Sequence, residues 1–202
     1  MLLLIAFVLP TIVCGQAAIQ HSTYQLEHTF KMNGQLSQLR VDGFQTRGVQ
    51  KVYDFANYIE LISDKSLDKE LREQAREMAL KLFNSSDNVV LDNTALTVKG
   101  DEEFTENKVA DYLDVIMNSK YDKVIAKLDT ISDLTQPLEM TLNGNYKGQM
   151  VVELGFEVVE KGKERSLAPA YTRTVELILK KVEKSFGNEK MEIWEILIGD
   201  FR

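Results

Sequence analysis

Cysteine is nearly absent from this chain: Cys14 is the only one in 202 residues. An intrachain disulfide is therefore excluded, and an oxidising compartment costs the protein nothing. Histidine is almost as scarce, with only His21 and His28, both close to the N-terminus. No set of His, Cys and carboxylate with metal-ligand spacing exists, so neither a metal nor another cofactor is expected. Proline is limited to 3 residues and low-complexity runs are missing, which argues against extensive disorder. Positive charge is in deficit, with 24 Lys and Arg against 31 Asp and Glu, a net charge of −7. A general nucleic-acid binder needs a basic surface to displace counterions, so nucleic acid is not an expected partner. Adhesion to an anionic lipid face is disfavoured for the same reason. Glycine-rich phosphate loops are also missing.

What remains is an ordinary globular composition, 44% hydrophobic and 27% charged, in a length that suits one domain with a real core. Leu2 to Val13 is apolar apart from Pro10 and Thr11. At about 12 residues such a run is short for a bilayer span but suits the apolar region of an export signal. Val13 and Gly15 supply small side chains for cleavage before Gln16, although no Lys or Arg precedes the run. The expectation is a signal peptide over 1–15, an exported, periplasmic or envelope-associated protein, and no transmembrane span in the mature chain. A lipidated Cys14 is the weaker alternative, because Val13 and Thr11 fit a lipoprotein signal poorly. A buried N-terminal strand or helix is the bland alternative for the whole run.

Tyr24, Leu26, His28, Phe30 and Met32 alternate with polar residues ahead of Asn33-Gly34, a hairpin-turn dipeptide. We assign 16–47 to an N-terminal extension, a strand or hairpin, and 48–202 to a single α+β domain. Gly48 ends the loop. Val49, Val52, Phe55, Ile59 and Ile62 then follow helical spacing. A second helix is expected to open near Asp64 or Ser66, with Leu67, Leu71, Ala75, Met78 and Leu82 as its apolar stripe and Arg72 and Arg76 on its solvated face. Val89–Leu91 and Ala95–Val98 read as two short strands. Thr105 is placed to cap a third helix with Val109, Leu113, Ile116 and Met117 inward. From Tyr121 onward period-two alternation takes over. It runs through Val124–Leu128, Met150–Val158, Val175–Leu179 and Met191–Ile198, with a turn at Ser185–Asn188. Long consecutive strands joined by turns point to an antiparallel sheet, which must bury one face under the helices.

This order is two helices, two short strands, a third helix, then strands to a final Met191-Glu192-Ile193-Trp194-Glu195-Ile196-Leu197-Ile198 run. It resembles the nuclear-transport-factor-two-like superfamily, also called SnoaL-like or cystatin-like, over roughly 48–202. The resemblance implies a curved sheet wrapped around about three helices as a cone, with a cavity between them. It also implies a choice of roles, since some members are isomerases, cyclases or dehydratases using Asp, His or Tyr, while many others bind ligands or partners. Dimerisation through the sheet is common among them.

Side chains that could serve such a cavity are few. Tyr53 and Asp54 on the first helix, Tyr112 on the third, and Glu192 with Trp194 on the last strand are the ligand-binding candidates. Each has a plain structural role available: Asp54 as a boundary residue flanking the apolar stripe, the tyrosines as packed rings with wet hydroxyls, and Glu192 and Trp194 as an outward dimer contact. No catalytic residue is assigned. The spacing Ser66-Leu67-Asp68-Lys69 matches the Ser-x-x-Lys of penicillin-binding enzymes, but its companion motifs are missing, and a capping Ser explains it. Asn84-Ser85-Ser86 has the form of a glycosylation sequon without other support for that route. The sequence thus favours a non-catalytic domain that binds a small apolar ligand or a protein partner. The alternatives are a small cavity enzyme of isomerase or dehydratase type, and a structural homodimer or sheet-augmentation module.

Overall fold

The structure is a computed structural model that describes residues 36–92, 105–161, 163, 165–167, 170–187 and 189–202. The expected leader over 1–15, Cys14, His21, His28, the alternating segment before Asn33-Gly34 and the expected strand Ala95–Val98 lie outside the described residues. The chain divides into two compact units, Met1–Arg40 and Val41–Arg202. The second contains every described helix and strand apart from the first three residues of α1 (Gln38–Ser63).

Helix α1 carries the expected stripe: Val52, Phe55, Ile59 and Ile62 are all buried. It starts well ahead of Val49, however, so 38–47 is helix rather than strand or hairpin. Val41, Phe44, Gly48, Val52 and Phe55 continue the same three-and-four spacing backwards. Gly48 does not end a loop. It is the small member of the stripe, and a Cβ there would lie 2.6 Å from Leu177 Cδ1 and 3.1 Å from Ile196 Cδ1. A mid-helix glycine costs about 1 kcal/mol against alanine, and here it permits the closest approach of α1 to the sheet.

Helix α2 (Lys69–Leu80) begins beyond Asp64 and Ser66. Those two residues instead close the connection from α1, with Asp64 Oδ1 accepting from Ser66 N (2.9 Å) and Ser66 Oγ (2.5 Å). The buried face of α2 is Ala75 and Ala79, while Leu71 and Met78 are about half exposed. Arg72 leaves the solvated face predicted for it. Its Nε donates to Ile62 O (2.7 Å), and its guanidinium also donates to Met117 O.

Strand β1 (Val89–Asp92) pairs antiparallel with β2 (Thr105–Lys108), so Thr105 lies in a strand instead of capping a helix. Helix α3 (Val109–Met117) follows directly and buries Val109, Tyr112, Leu113 and Ile116. The long strands are β3 (Lys123–Met140), β4 (Tyr146–Val159), β6 (Tyr171–Phe186) and β7 (Glu189–Phe201), with a two-residue β5 (Ser166–Leu167) on β4. Gly187, at φ +64°, lies in the tight turn joining β6 to β7, where Phe186 faces Glu189.

The sheet order is β2-β1-β7-β6-β4-β3, an open path. Its neighbours are antiparallel except β1 and β7, which run parallel at Val90↔Phe201. A second parallel bridge joins Phe83 to Ile198. The fold is therefore α+β with helices N-terminal to the long strands, as expected, but the sheet is mixed. The parallel contact arises because β1, paired on one side with β2, meets the last strand on its other side.

Phe55 sits at the centre of the core, with ring centroids 4.9 Å from Phe83, 5.8 Å from Phe201 and 6.4 Å from Tyr112. Helices and sheet thus meet through aromatic contacts that add to area burial. Polar pins hold the margins. Ser63, fully buried, accepts from Val124 N at 2.8 Å and lies 3.0 Å from the carbonyls of Glu60 and Val124. Asp200 accepts from Val89 N (3.0 Å) and Asn88 Nδ2 (3.1 Å), fixing β1 against β7.

Candidate functional site

The five residues singled out from sequence do not converge. Tyr112 is 2% exposed and packed on Phe55, so its hydroxyl is not on the surface. Tyr53 is on the outside of α1 at 42% exposure. Asp54, one residue on, accepts from Gln50 Nε2 at 2.9 Å. Glu192 and Trp194 share a face of β7, and the sheet register settles which one. Trp194 pairs with Lys181 and Ile196 with Leu179, which puts Trp194 on the face that α1 covers at Gly48. The ring of Trp194 meets Tyr146 edge-on at 5.6 Å, and Lys181 Nζ stands 5.6 Å from its centroid. Glu192 is exposed and pairs with Lys181 at 3.5 Å.

Of the five, Trp194 lines a groove of about 330 Å³ that runs between the first half of α1 and β7. Phe44, Arg47, Gln50 and Lys51 come from α1, Lys184 from β6, and Ile193, Trp194, Glu195 and Ile196 from β7. The local reasons are simple. Residues 44, 47 and 51 are three and four apart, so α1 presents them on one side. Gly48 on the same turn lets that side settle close to Leu177 and Ile196. The strand meanwhile contributes four consecutive residues and therefore side chains from both its faces.

The groove has an apolar wall and a charged rim. Phe44, Ile193, Trp194 and Ile196 form the wall. At the rim Glu195 stands between Lys184 (3.2 Å) and Lys51 (3.9 Å). The Lys51 side chain is only 20% exposed. Burial pushes its ammonium below the ordinary lysine value of 10.5; Glu195 opposes that shift, Lys184 adds to it, and Asp54 opposes it. Arg47 lies over the ring of Phe44, 5.5 Å from the centroid.

A second recess of about 260 Å³ is lined by Tyr121, Val158, Glu160, Lys163 and Ser166. Its two charges pair with each other, Lys163 donating to Glu160. Among the described residues no group of three or more His, Cys, Asp or Glu could hold a metal ion, and no helix is long and apolar enough to cross a membrane.

Sequence reasoning found Trp194 because it is an aromatic two residues from the carboxylate Glu192, on one face of the last strand. It missed Phe44, Arg47, Lys51 and Lys184. The signal for the first three was the helical spacing that continues back from Val52. Lys184 carried no signal, because its nearness to Lys51 depends on the path of β6 and β7 through the sheet. Comparison with known proteins gives no match: no family model, no curated protein and no solved structure matches this chain.

Proposed function

We propose that this chain is an exported, non-catalytic domain of the nuclear-transport-factor-two-like kind, and that it binds a small, largely apolar ligand in the groove between α1 and β7. The observation that carries the reading is that groove: about 330 Å³, with Phe44, Ile193, Trp194 and Ile196 along it. Sites for small molecules begin at about 300 Å³ and combine apolar walls with a few polar groups. The family part of the reading is supported by the order of two helices, two short strands, a third helix and long strands to the terminus. Export is supported by the apolar run Leu2 to Val13 alone. The cavity-enzyme alternative is the weaker one, because it needs a buried Asp and Tyr facing one cavity, and neither Asp54 nor Tyr112 lines the groove: Tyr112 is packed in the core and Asp54 accepts from Gln50.

Since Trp194 is the one tryptophan in the chain and lines the groove, its fluorescence serves as the probe of that site. Titration of the full chain with 1-decanol is expected to shift Trp194 emission to shorter wavelength and to saturate. Phe44→Arg places a charge on the apolar wall and is expected to weaken binding by about tenfold or more, the equivalent of about 1.4 kcal/mol. A titration without saturation, by fluorescence and by calorimetry alike, overturns the reading.

A further inference from the structure

We infer that the ligand is a single-tailed carboxylate, its apolar body lying along Phe44, Ile193, Trp194 and Ile196 and its headgroup held between Lys184, Lys51 and Arg47. This rests on the groove reading above and goes further by naming the ligand's charge and where that charge sits. The argument is charge complementarity at one place. The chain as a whole is acidic, at −7, yet the groove is lined by three cations and one carboxylate. Glu195 is shared by two of the cations, at 3.2 and 3.9 Å. Asp54 also acts on Lys51 from the neighbouring turn, but its oxygen accepts from Gln50 and it does not line the groove. One internal anion therefore serves Lys184 and Lys51, while Arg47, over the Phe44 ring, also lines the groove.

Burying the Lys51 stem beside an aromatic wall strengthens any charge-assisted bond made there, since water competes less well. A cationic ligand meets the same three cations and is repelled. A neutral one gains the wall but leaves the rim unused. The shape follows as well, because one groove joins the apolar side chains of Phe44, Ile193, Trp194 and Ile196 to the cations gathered about Glu195. That geometry suits a headgroup with one tail better than a dianion without an apolar part.

The test compares decanoate, 1-decanol and decyltrimethylammonium, each below its micelle concentration, with Trp194 emission and calorimetry as readouts on the full chain. Decanoate is expected to bind about tenfold more tightly than decanol, and decyltrimethylammonium more weakly than either. Lys184→Met, at an exposed position, is expected to remove most of the decanoate advantage, read as the ratio of decanoate to decanol affinity in the same variant. Arg47→Met should act in the same direction. Glu195→Gln should do the opposite and tighten decanoate by several-fold, because it frees Lys51 and Lys184 from their internal partner. Equal binding of decanoate and decanol, or tighter binding of the ammonium compound, overturns this inference and leaves the groove reading standing. Silence of all three probes in both readouts overturns both.

Discussion

A Cβ on Gly148 would lie 2.9 Å from the carbonyl oxygen of Gln136 and 3.2 Å from both Leu138 N and Pro137 C. The cause is a local irregularity in β3. Gln136 pairs with Gln149 and Glu139 with Lys147, so Pro137 and Leu138 together face the single position Gly148. Proline cannot donate to a ladder and is tolerated at edges and bulges. β3 is both an edge strand and bulged at this place. Pro137 and Gly148 are thus two halves of one device, the first breaking the pairing and the second making room for the backbone that swings over it. Gly148→Ala is expected to destabilise the fold by about 2 kcal/mol, as a lower urea midpoint with unchanged slope, because backbone cannot give way as a side chain can. Gly48→Ala meets only the ends of Leu177 and Ile196 and gains helix propensity, so its cost should be clearly smaller. An equal or greater loss at Gly48 would contradict this ranking.

At the scale of elements, Arg72 is the joint of the helical layer. Ile62 is the next-to-last residue of α1 and Met117 the last of α3. Both carbonyls are among those a helix leaves without an internal partner. One guanidinium from α2 serves both helix ends, where the dipole favours a cation. Arg76 adds a second link to α3, its Nε 2.6 Å from Asp114 Oδ1. Arg72→Met is expected to cost about 2–4 kcal/mol in chemical unfolding, since two carbonyls lose a charged donor at once. Arg72→Lys should recover less than half of that, because an ammonium on a shorter stem does not span both sites; full recovery would sink the joint. This also explains what could be read from sequence. The α1 stripe and the long strands were legible because burial repeats there at the period of the element, as with Phe55, Ile59 and Ile62 or Met150, Val152 and Leu154. The face of α2 was legible in part: Ala75, and Leu82 just beyond the helix, are buried as expected, but Leu71 and Met78 are half exposed and Ala79 and an arginine make the contact instead. Thr105 was misjudged because pairing with Asp92 across the chain outweighed a local capping preference. In the groove, the wall residue Trp194 was visible and the rim cations were not, since lysines and arginines look alike in sequence whether they meet solvent or a cavity.

For the whole molecule, charge decides how stability varies with pH, and the shifted carboxylates agree in sign. Asp64 lies below its ordinary value of 3.8, first because the Ser66 hydroxyl donates to it; burial opposes, while Ser66 N–H and Lys123 add to the lowering. For Asp200 burial is the largest influence and pushes upward, but Val89 N–H, Asn88 and Arg202 together bring it below 3.8. Glu160 is below 4.5 through Lys163. With folded values depressed, the unfolded chain takes up protons first as pH falls, so these groups contribute fully above the ordinary carboxylate range and lose their contribution as pH drops through the folded values. The alkaline side is mixed. Lys123 is raised by its bonds to Glu60 and Asp64, so its contribution is lost as pH rises through the folded value. Lys51 is lowered, so its penalty is relieved as pH rises from its folded value toward 10.5, before Lys123 begins to lose its contribution. The acid limb is therefore the sharper test. The urea midpoint is expected to fall between about pH 6 and about pH 3, where linkage from lowered aspartates operates. In Asp64→Asn/Asp200→Asn the midpoint should start lower at the upper pH and fall less steeply, so that the two proteins converge in acid. A double variant that falls as steeply as the parent would show that acid sensitivity resides elsewhere, and that the bonds from Ser66 and Val89 do not hold these two carboxylates in their charged form.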